Sequence, residues 1–215
     1  GDVLLGAGAL STGNTYTLAW TPSVEGAASL IAIATDNNGL DAAGASTALT
    51  VLPNEAPTVG DVQVPTSTVT LGNTVTLSVT AGDSDGTITS VNFYSGDVLL
   101  GAGTLSTGNT YTLAWTPSVE GPYSLSAVAT DNNGLNAAGV STALTVLPNA
   151  APTVGDVQVP TSTVTLGNTV TLSVTAGDSD GTITSVNFYS GDVLLGAGAL
   201  STGNTYTLAW TPSVE

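Results

Sequence analysis

The chain repeats itself. The stretch GDVLLGAG opens at Gly1 and recurs at Gly96 and Gly191, a period of 95 residues. Residues 1–95 differ from 96–190 at eight positions: Ala9/Thr104, Ala27/Pro122, Ala28/Tyr123, Ile31/Ser126, Ile33/Val128, Asp41/Asn136, Ala45/Val140 and Glu55/Ala150. Residues 191–215 repeat 1–25 without change. A unit this long is a whole domain, not one turn of a solenoid. Each unit must therefore bury its own core, and the chain must read as a tandem array. Near-identity of the units suits a spacer better than a set of specialised sites.

The punctuation falls at LPNEAPTV (Leu52–Val59) and LPNAAPTV (Leu147–Val154), where Pro, Asn and Ala join one β-rich run to the next. Residues 1–53 then read as the C-terminal part of one repeat, 54–148 as a complete repeat and 149–215 as the N-terminal part of a third. The expectation is a window onto a longer polypeptide or a continuous fibre. Gly1 in place of Met, with no visible signal peptide, fits a mature form or an internal stretch.

Within the complete repeat the hydrophobic period is two, the period of a strand with one buried face. TVTLSVTA sends Val75, Leu77, Val79 and Ala81 one way and its threonines the other. NTYTLAWTP does the same with Tyr111, Leu113 and Trp115, and PYSLSAVAT with Tyr123, Leu125, Ala127 and Ala129. VSTALTV aligns Val140, Thr142, Leu144 and Val146, and TITSVNFYS presents Val91 and Phe93. DVLLGAG adds a short strand after the Ser95-Gly96 turn. DVQV and TVTL, at 61–64 and 68–71, form a first strand interrupted at Pro65, which suits an edge or a switch between sheets. No segment keeps a 3.6-residue period. About seven short strands with glycine turns between them predict an all-β fold of tandem sandwich domains without helices.

Composition narrows the chemistry. There are 16 acidic residues and no Lys, Arg or His, for a net charge of −16, and no Cys or Met. With 41% hydrophobic residues a core is affordable. The charge argues against nucleic acid and anionic membranes as partners, and no apolar run is long enough to cross a bilayer. Missing His and Cys remove the usual zinc, copper and haem ligands, along with Ser-His-Asp, Cys-His and Lys-based catalysis. Hard, oxygen-liganded cations remain, calcium first.

The string APTV…GNTVTLSVTAGDSDGTITSVNFYSGDVLLG…YTLAWTPSVEGPYSLSAVATDNNGL…STALTVLPN resembles the bacterial immunoglobulin-like repeats of large surface and secreted proteins, and shares features with PKD-type and cadherin-like modules. The pieces that match are D-x-D-G-x-I-x-x-V-x-F-Y, G-P-Y-S-L-x-A-V-A-T-D-N-x-G and the N-x-A-P linker, which together span the 95-residue unit. The resemblance implies an extracellular immunoglobulin-like β-sandwich. It leaves the role open among adhesin spacers, accessory modules of polysaccharide-degrading enzymes and surface layers. One departure stands out: the family's tyrosine in the sixth strand is Tyr123 here but Ala28 in the preceding repeat.

In that topology the loops gather at the two ends of the sandwich. The Asp83-Ser84-Asp85-Gly86 loop and the Asp131-Asn132-Asn133-Gly134 loop fall at the end where the linker Asn54-Glu55 comes in. Asp83, Asp85, Asp131, Asn132, Asn54 and Glu55 are therefore candidate calcium ligands at a domain junction, with repeat equivalents Asp178, Asp180, Asp36 and Asn149. Calcium takes six to eight oxygens from carboxylates, amides and backbone, and the arrangement resembles cadherin-like arrays stiffened by interdomain calcium. The competing reading uses the same residues as turn formers, with Asp and Asn capping local N–H groups and Gly supplying positive φ. Glu55 becomes Ala150 at the next junction, so either that ligand is dispensable or the junctions differ. Asp2, Asp97 and Asp192 read as hairpin-turn residues, and Asp61 and Asp156 as edge charges that discourage strand pairing.

Catalysis is not expected. Asp83 and Asp85 sit in one turn of a repeated unit without an aromatic cleft around them, unlike a glycosidase pair. Trp20, Trp115 and Trp210 share one repeat position, and their alternation with Tyr and Leu favours the core over sugar stacking. The sequence thus points to a non-catalytic, extracellular or cell-surface stalk or fibre segment whose partners are neighbouring repeats. Two alternatives stay open: a carbohydrate-binding or adhesive module that meets surface glycans, and a filament subunit that exchanges strands between chains. One consequence is directly measurable. Trypsin should leave the chain intact even when it is unfolded in urea, because no Lys or Arg is present to cut at; electrophoresis after prolonged digestion reads this.

Overall fold

The computed structural model describes residues 3–213, and every element in it is a strand. Residues 54–148 carry two facing sheets. One runs in the order Val98–Ala102, Ile88–Ser95, Gly121–Asp131, Thr142–Leu147, Thr68–Thr70, with Asn136–Ala138 also paired on Gly121–Asp131. The other runs Thr104–Leu105, Thr110–Trp115, Val75–Gly82, Thr58–Val59. Neighbours are antiparallel except Thr142–Leu147 and Thr68–Thr70, which are parallel.

The leading segment of the domain shows why Pro65 stands where it does. Thr58–Val59 pairs with Val75–Gly82 in one sheet, and Gln63 bridges Ser78. Beyond Pro65 the chain crosses over, and Thr68–Thr70 lies against Thr142–Leu147 in the other sheet. Proline has no N–H to offer a ladder, so the crossover is placed where no ladder bond is lost.

Alternation sets the core as the sequence predicts. Val75, Leu77, Val79 and Ala81 from one sheet meet Val91, Phe93, Leu125, Ala127, Ala129 and Leu144 from the other, with Val62 closing the edge. Tyr111, Leu113, Trp115 and Tyr123 pack against this cluster while remaining partly exposed. Each fully buried Leu or Phe contributes roughly 1.5–3 kcal/mol by leaving water. The Trp115 and Tyr123 rings meet edge to face with centroids 5.0 Å apart, and the Tyr123 hydroxyl donates to the Val119 carbonyl at 2.9 Å.

One expected strand needs correction. Val140 does not continue the Leu144, Val146 face; it is 71% exposed and lies in a break between Asn136–Ala138 and Thr142–Leu147. The cause is Gly139, whose N–H donates to the Ala127 carbonyl at 3.0 Å while the backbone presses against Gly60. The chain steps aside there, and Val140 turns outward. Asp97 and Asp192 lie in two-residue hairpin turns as expected, each behind a glycine at φ 54°; Asp2 lies outside the described residues. Asp61 and Asp156 are exposed, in each case just before a bridging Gln and outside any named strand.

The flanking parts are built from the same strands but packed differently. Among residues 3–53 none is buried, and the strands form three separate two-stranded ribbons. Residues 150–213 form a four-stranded sheet and a two-stranded hairpin around Val170, Leu172, Val174, Ala176, Val186 and Phe188.

Gly139 makes the sandwich testable at one atom. A Cβ there would stand 2.0 Å from the Gly60 carbonyl oxygen, whereas at Gly44, its counterpart 95 residues earlier, the nearest atom is 3.7 Å away. Gly139→Ala should therefore destabilise the complete sandwich by about 1–3 kcal/mol in urea unfolding, the usual cost of overpacking. Gly44→Ala should leave the same transition unmoved.

Candidate functional site at the domain junction

The Val75–Gly82 strand delivers the Asp83–Gly86 loop, and the Gly121–Asp131 strand delivers the Asp131–Gly134 turn. Ile88 pairs with Asp131, so the two loops leave their sheet side by side. The linker passes directly over them. All six residues singled out in the sequence come to this one place, though not in the same way.

Asp131 is the anchor. It is 2% exposed, the one charged residue among the buried described residues. Its Oδ1 accepts the Asn133 and Leu135 N–H groups at 2.8 and 2.9 Å, closing its own turn, and its Oδ2 accepts the Asn54 amide at 2.7 Å. Asn54 Oδ1 in turn accepts from the Asn133 amide, and Asn54 Nδ2 also reaches the Glu55 carbonyl at 3.1 Å. Thr89 ties the turn from beneath, its hydroxyl donating to the Asp131 carbonyl at 2.9 Å. The linker is thus fastened to the last loop of the domain by a buried carboxylate.

Asp85 holds the other side of the linker. Its Oδ2 accepts the Glu55 N–H at 3.1 Å, and its own N–H donates to Asp83 Oδ1 at 3.4 Å. Asn132 Oδ1 accepts the Thr87 N–H at 2.7 Å. Among the described residues the Glu55 side chain has no hydrogen-bond partner, and the junction meets Glu55 through its backbone. The next junction confirms that division: Ala150 N–H donates to Asp180 Oδ2 at 3.0 Å, and Asp180 N–H to Asp178 Oδ1 at 3.2 Å. Glu55 and Ala150 are interchangeable because neither side chain is used. Asn149 reaches the Ala150 carbonyl at 3.0 Å, as Asn54 reaches that of Glu55. Asp36 forms the same turn as Asp131, accepting Asn38 and Leu40 N–H groups at 2.8 and 2.9 Å, but in an exposed setting.

Two features speak to a cation. Asp83 Oδ2 is buried without any hydrogen-bond partner, and at the next junction so is Asp180 Oδ1. Over Gly86 the space a Cβ would fill is approached by Asp83 Oδ2 and Asn132 Oδ1 together, so that no side chain fits between them. An unpaired carboxylate oxygen facing an amide oxygen is a hard, oxygen-only pairing of the kind calcium accepts. On the other side, among the described residues no three His, Cys, Asp or Glu groups stand close enough to hold a metal. Amide and backbone oxygens would have to complete any shell.

Sequence reasoning missed Asn133, Thr87, Thr89 and Glu25. Asn133 was legible in Asp-Asn-Asn-Gly as the residue after the paired Asn, but its reach to Asn54 depends on where the linker lies. Glu25 had no local signal. It lines an open cleft of about 550 Å³ with Thr21, Pro53, Asn54, Asp85 and Asn133, and so faces the junction from the preceding repeat.

Burial raises the Asp131 pKa, but the Asn54 amide and the N–H groups of Leu135, Asn133 and Gly134 outweigh it and hold the carboxyl below its ordinary 3.8. A depressed folded-state pKa stabilises the fold above the unfolded value and loses that contribution as pH falls through the folded one. Asn54→Ala removes a donor and leaves burial in place, so the Asp131 pKa should rise and the acid-unfolding midpoint should move to higher pH. Asp131→Asn should lower stability at neutral pH and flatten the part of the profile below about pH 4 that Asp131 controls. Circular dichroism across a pH series reads both.

A model of the bacterial Ig domain matches the chain twice, at residues 62–127 and 156–215, more than half of its length. No curated protein matches. Among solved structures, the fibronectin(III)-like modules of Clostridium thermocellum CbhA are 27% identical, with a TM-score of 0.36 over 41% of this chain and 94% of theirs. The Escherichia coli adhesin FdeC is 20% identical, with a TM-score of 0.31 over 82% of this chain and 62% of the adhesin. With two matched stretches about one repeat apart and a sandwich of two facing, mostly antiparallel sheets, the chain belongs to the bacterial Ig domain family.

Proposed function

We propose that this chain is a non-catalytic segment of an extracellular stalk or fibre, whose job is to hold sandwiches in line. The observation that carries the reading is the fastening of the linker: Asn54 to buried Asp131 on one side, and the Glu55 N–H to Asp85 on the other. Both contacts lie within residues 54–148 and fix the path by which the linker enters that sandwich, and the contact to Asp180 recurs at the next junction with Ala150 in place of Glu55. Repetition of one unit then gives length, and the strong negative charge keeps neighbouring chains apart.

Calcium is the cofactor this reading invokes. Asp83, Asp85, Asn132 and Asn54 would hold it, with Asp131 steadying Asn54 and Glu55 contributing backbone only. Its chemistry is electrostatic: it would neutralise carboxylates that have no cationic side chain anywhere in the chain to pair with.

The carbohydrate-binding alternative is less well supported. Trp115 points into the sandwich, opposite Val75 in register and against Tyr123, and offers no flat exposed ring for a sugar. Trp20 and Trp210 share its repeat position and are likewise only partly exposed.

Calorimetric melting with calcium and with a chelator tests the cofactor. Saturation at about a hundred times the dissociation constant should stabilise the fold by about 2.7 kcal/mol, and Asp83→Ala should abolish the shift while keeping the sandwich folded. An unchanged melting temperature would remove calcium from the scheme. The stalk reading itself falls if Asn54→Ala leaves small-angle scattering of the chain unaltered, since the linker fastening would then hold nothing. A sugar-dependent change in tryptophan fluorescence would favour the glycan-binding alternative.

A further inference from the structure

Asn133 is followed by a glycine, and its side-chain amide is held at both ends. Its Oδ1 accepts from the Asn132 amide at 3.0 Å, and Asn132 is itself fixed through its own Oδ1, which accepts the Thr87 N–H at 2.7 Å. Asn133 Nδ2 donates to Asn54 Oδ1, and Asn54 Nδ2 donates onward to Asp131 Oδ2 at 2.7 Å. The backbone of the turn closes on the same residue: the Asn133 N–H donates to Asp131 Oδ1 at 2.8 Å, and the Gly134 N–H to the Asp131 carbonyl at 3.4 Å. This path of bonds leaves Asp131 through the Asn133 backbone and returns to it through Asn54. Asn132, Asn133 and Gly134 are all exposed to water. Every group in the path belongs to the complete sandwich, residues 54–148.

Asparagine before glycine is the least hindered setting for ring closure between a side-chain amide and the next backbone nitrogen, because glycine sets no Cβ beside that nitrogen. Gly134 stands at φ 91°, and no atom lies within 4 Å of the place a Cβ would take. In the reaction the Gly134 nitrogen attacks Asn133 Cγ. An N–Cγ bond forms, the Cγ–Nδ2 bond breaks, and the Gly134 proton leaves on Nδ2 as ammonia. Water then opens the five-membered imide. Opening at Cγ gives a side-chain carboxylate; opening at the Asn133 backbone carbonyl gives the isomer whose main chain runs through Cγ. No reactant but water enters. Closure turns Cγ from planar to tetrahedral and takes the Gly134 hydrogen. The bonds that hold the amide plane at Oδ1 and Nδ2 oppose it, as does the Gly134 N–H bond to Asp131.

We propose that Asn133-Gly134 is a one-way latch on the linker. While Asn54 clasps Asn133, cyclisation is held back; once the linker lifts, Asn133 converts and the clasp does not re-form. Conversion removes both hydrogens that Nδ2 carried. Asn54 has none to offer in exchange, since its own two already go to Asp131 Oδ2 at 2.7 Å and to the Glu55 carbonyl at 3.1 Å. Asn54 Oδ1 is left facing another acceptor. The new negative charge also stands two residues from Asp131, in a chain with no Lys, Arg or His to offset it. A junction held open long enough therefore stays open, and the converted fraction records how long it was open. The latch rests on the same Asn54 clasp that the stalk reading uses, and not on calcium.

Mass spectrometry of the 215-residue chain after incubation at mildly alkaline pH tests the latch. A glutamate-specific protease cuts after Glu25, Glu55 and Glu120, so Asn133 is read in fragment 121–215, apart from the other Asn-Gly pair, Asn38-Gly39, in fragment 26–55. Tandem fragmentation then places the mass gain at Asn133. The folded chain should convert Asn133 at least about tenfold more slowly than the chain unfolded in urea, because two side-chain hydrogen bonds keep the open form a minor population. Asn54→Ala should speed conversion several-fold while circular dichroism shows the sandwich still folded. Asn133→Asp makes the product directly, and should speed hydrogen exchange at the Glu55 N–H several-fold by NMR. Conversion as fast in the folded chain as in urea, or unmoved by Asn54→Ala, overturns the latch. So does Glu55 exchange that Asn133→Asp leaves unchanged. None of these readouts uses scattering or calcium, so the latch can fail while the stalk reading stands, and the reverse.

Discussion

Everything in this chain depends on two half-sheets needing each other. The face built by Val62, Leu77 and Phe93 is dry only when the face built by Leu125, Ala127 and Leu144 lies on it. Neither half has a buried core of comparable completeness alone: Leu125 is fully buried where its partner sheet is present, and its counterpart Leu30 is not. In an ordinary domain that dependence is settled once, within one chain. In a tandem array with units this alike, the two halves of each repeat are spelled almost as they are in the next. The linker sets where the chain enters the complete sandwich, since Asn54 and the Glu55 N–H are held by its loops.

That gives the fastening of the linker its weight. Asp131 spends one carboxylate oxygen on its own turn and the other on Asn54. A buried carboxylate in a chain without Lys, Arg or His can be stabilised only by N–H donors or by ions from solution. The fold supplies two backbone N–H groups and an amide, so the charge survives burial. The same shortage of cations leaves Asp83 Oδ2 and Asp180 Oδ1 with nothing. Oxygens in the same loop pair thus sit on opposite sides of the balance, one set satisfied by the protein and the other not.

The sandwich was legible because a period of two in hydrophobicity is a physical signature: it places alternate side chains on one face whatever the loops do. Val75, Leu77, Val79 and Ala81 could be assigned to the core from spelling alone. Val140 could not, since its exposure follows from a contact between Gly139 and Gly60, residues 79 apart whose approach is visible only in three dimensions. The junction was half legible. Asp-Ser-Asp-Gly and Asp-Asn-Asn-Gly announce turns, and a sandwich topology puts both loops at the same end. Which oxygen meets which donor depends on the path of the linker, so Asn133 and Thr89 stayed hidden, and so did the Glu55 backbone N–H as the group that meets Asp85.

The exchange of Glu55 for Ala150 between otherwise identical linkers shows how the repeat tolerates drift. A junction made by a backbone N–H is indifferent to the side chain that follows it. A junction made by Asn54 is not, since the amide supplies both the donor to Asp131 and the acceptor for Asn133. Residues whose backbone alone is used are free to vary along a long array; those whose side chains span two loops are not. Ala28 in place of Tyr123 belongs to the first kind in a weaker sense: it gives up an aromatic contact at the rim of the core without touching Leu77 or Phe93. The pairing register survives that loss, since Ala28 stands opposite Leu49 as Tyr123 stands opposite Leu144.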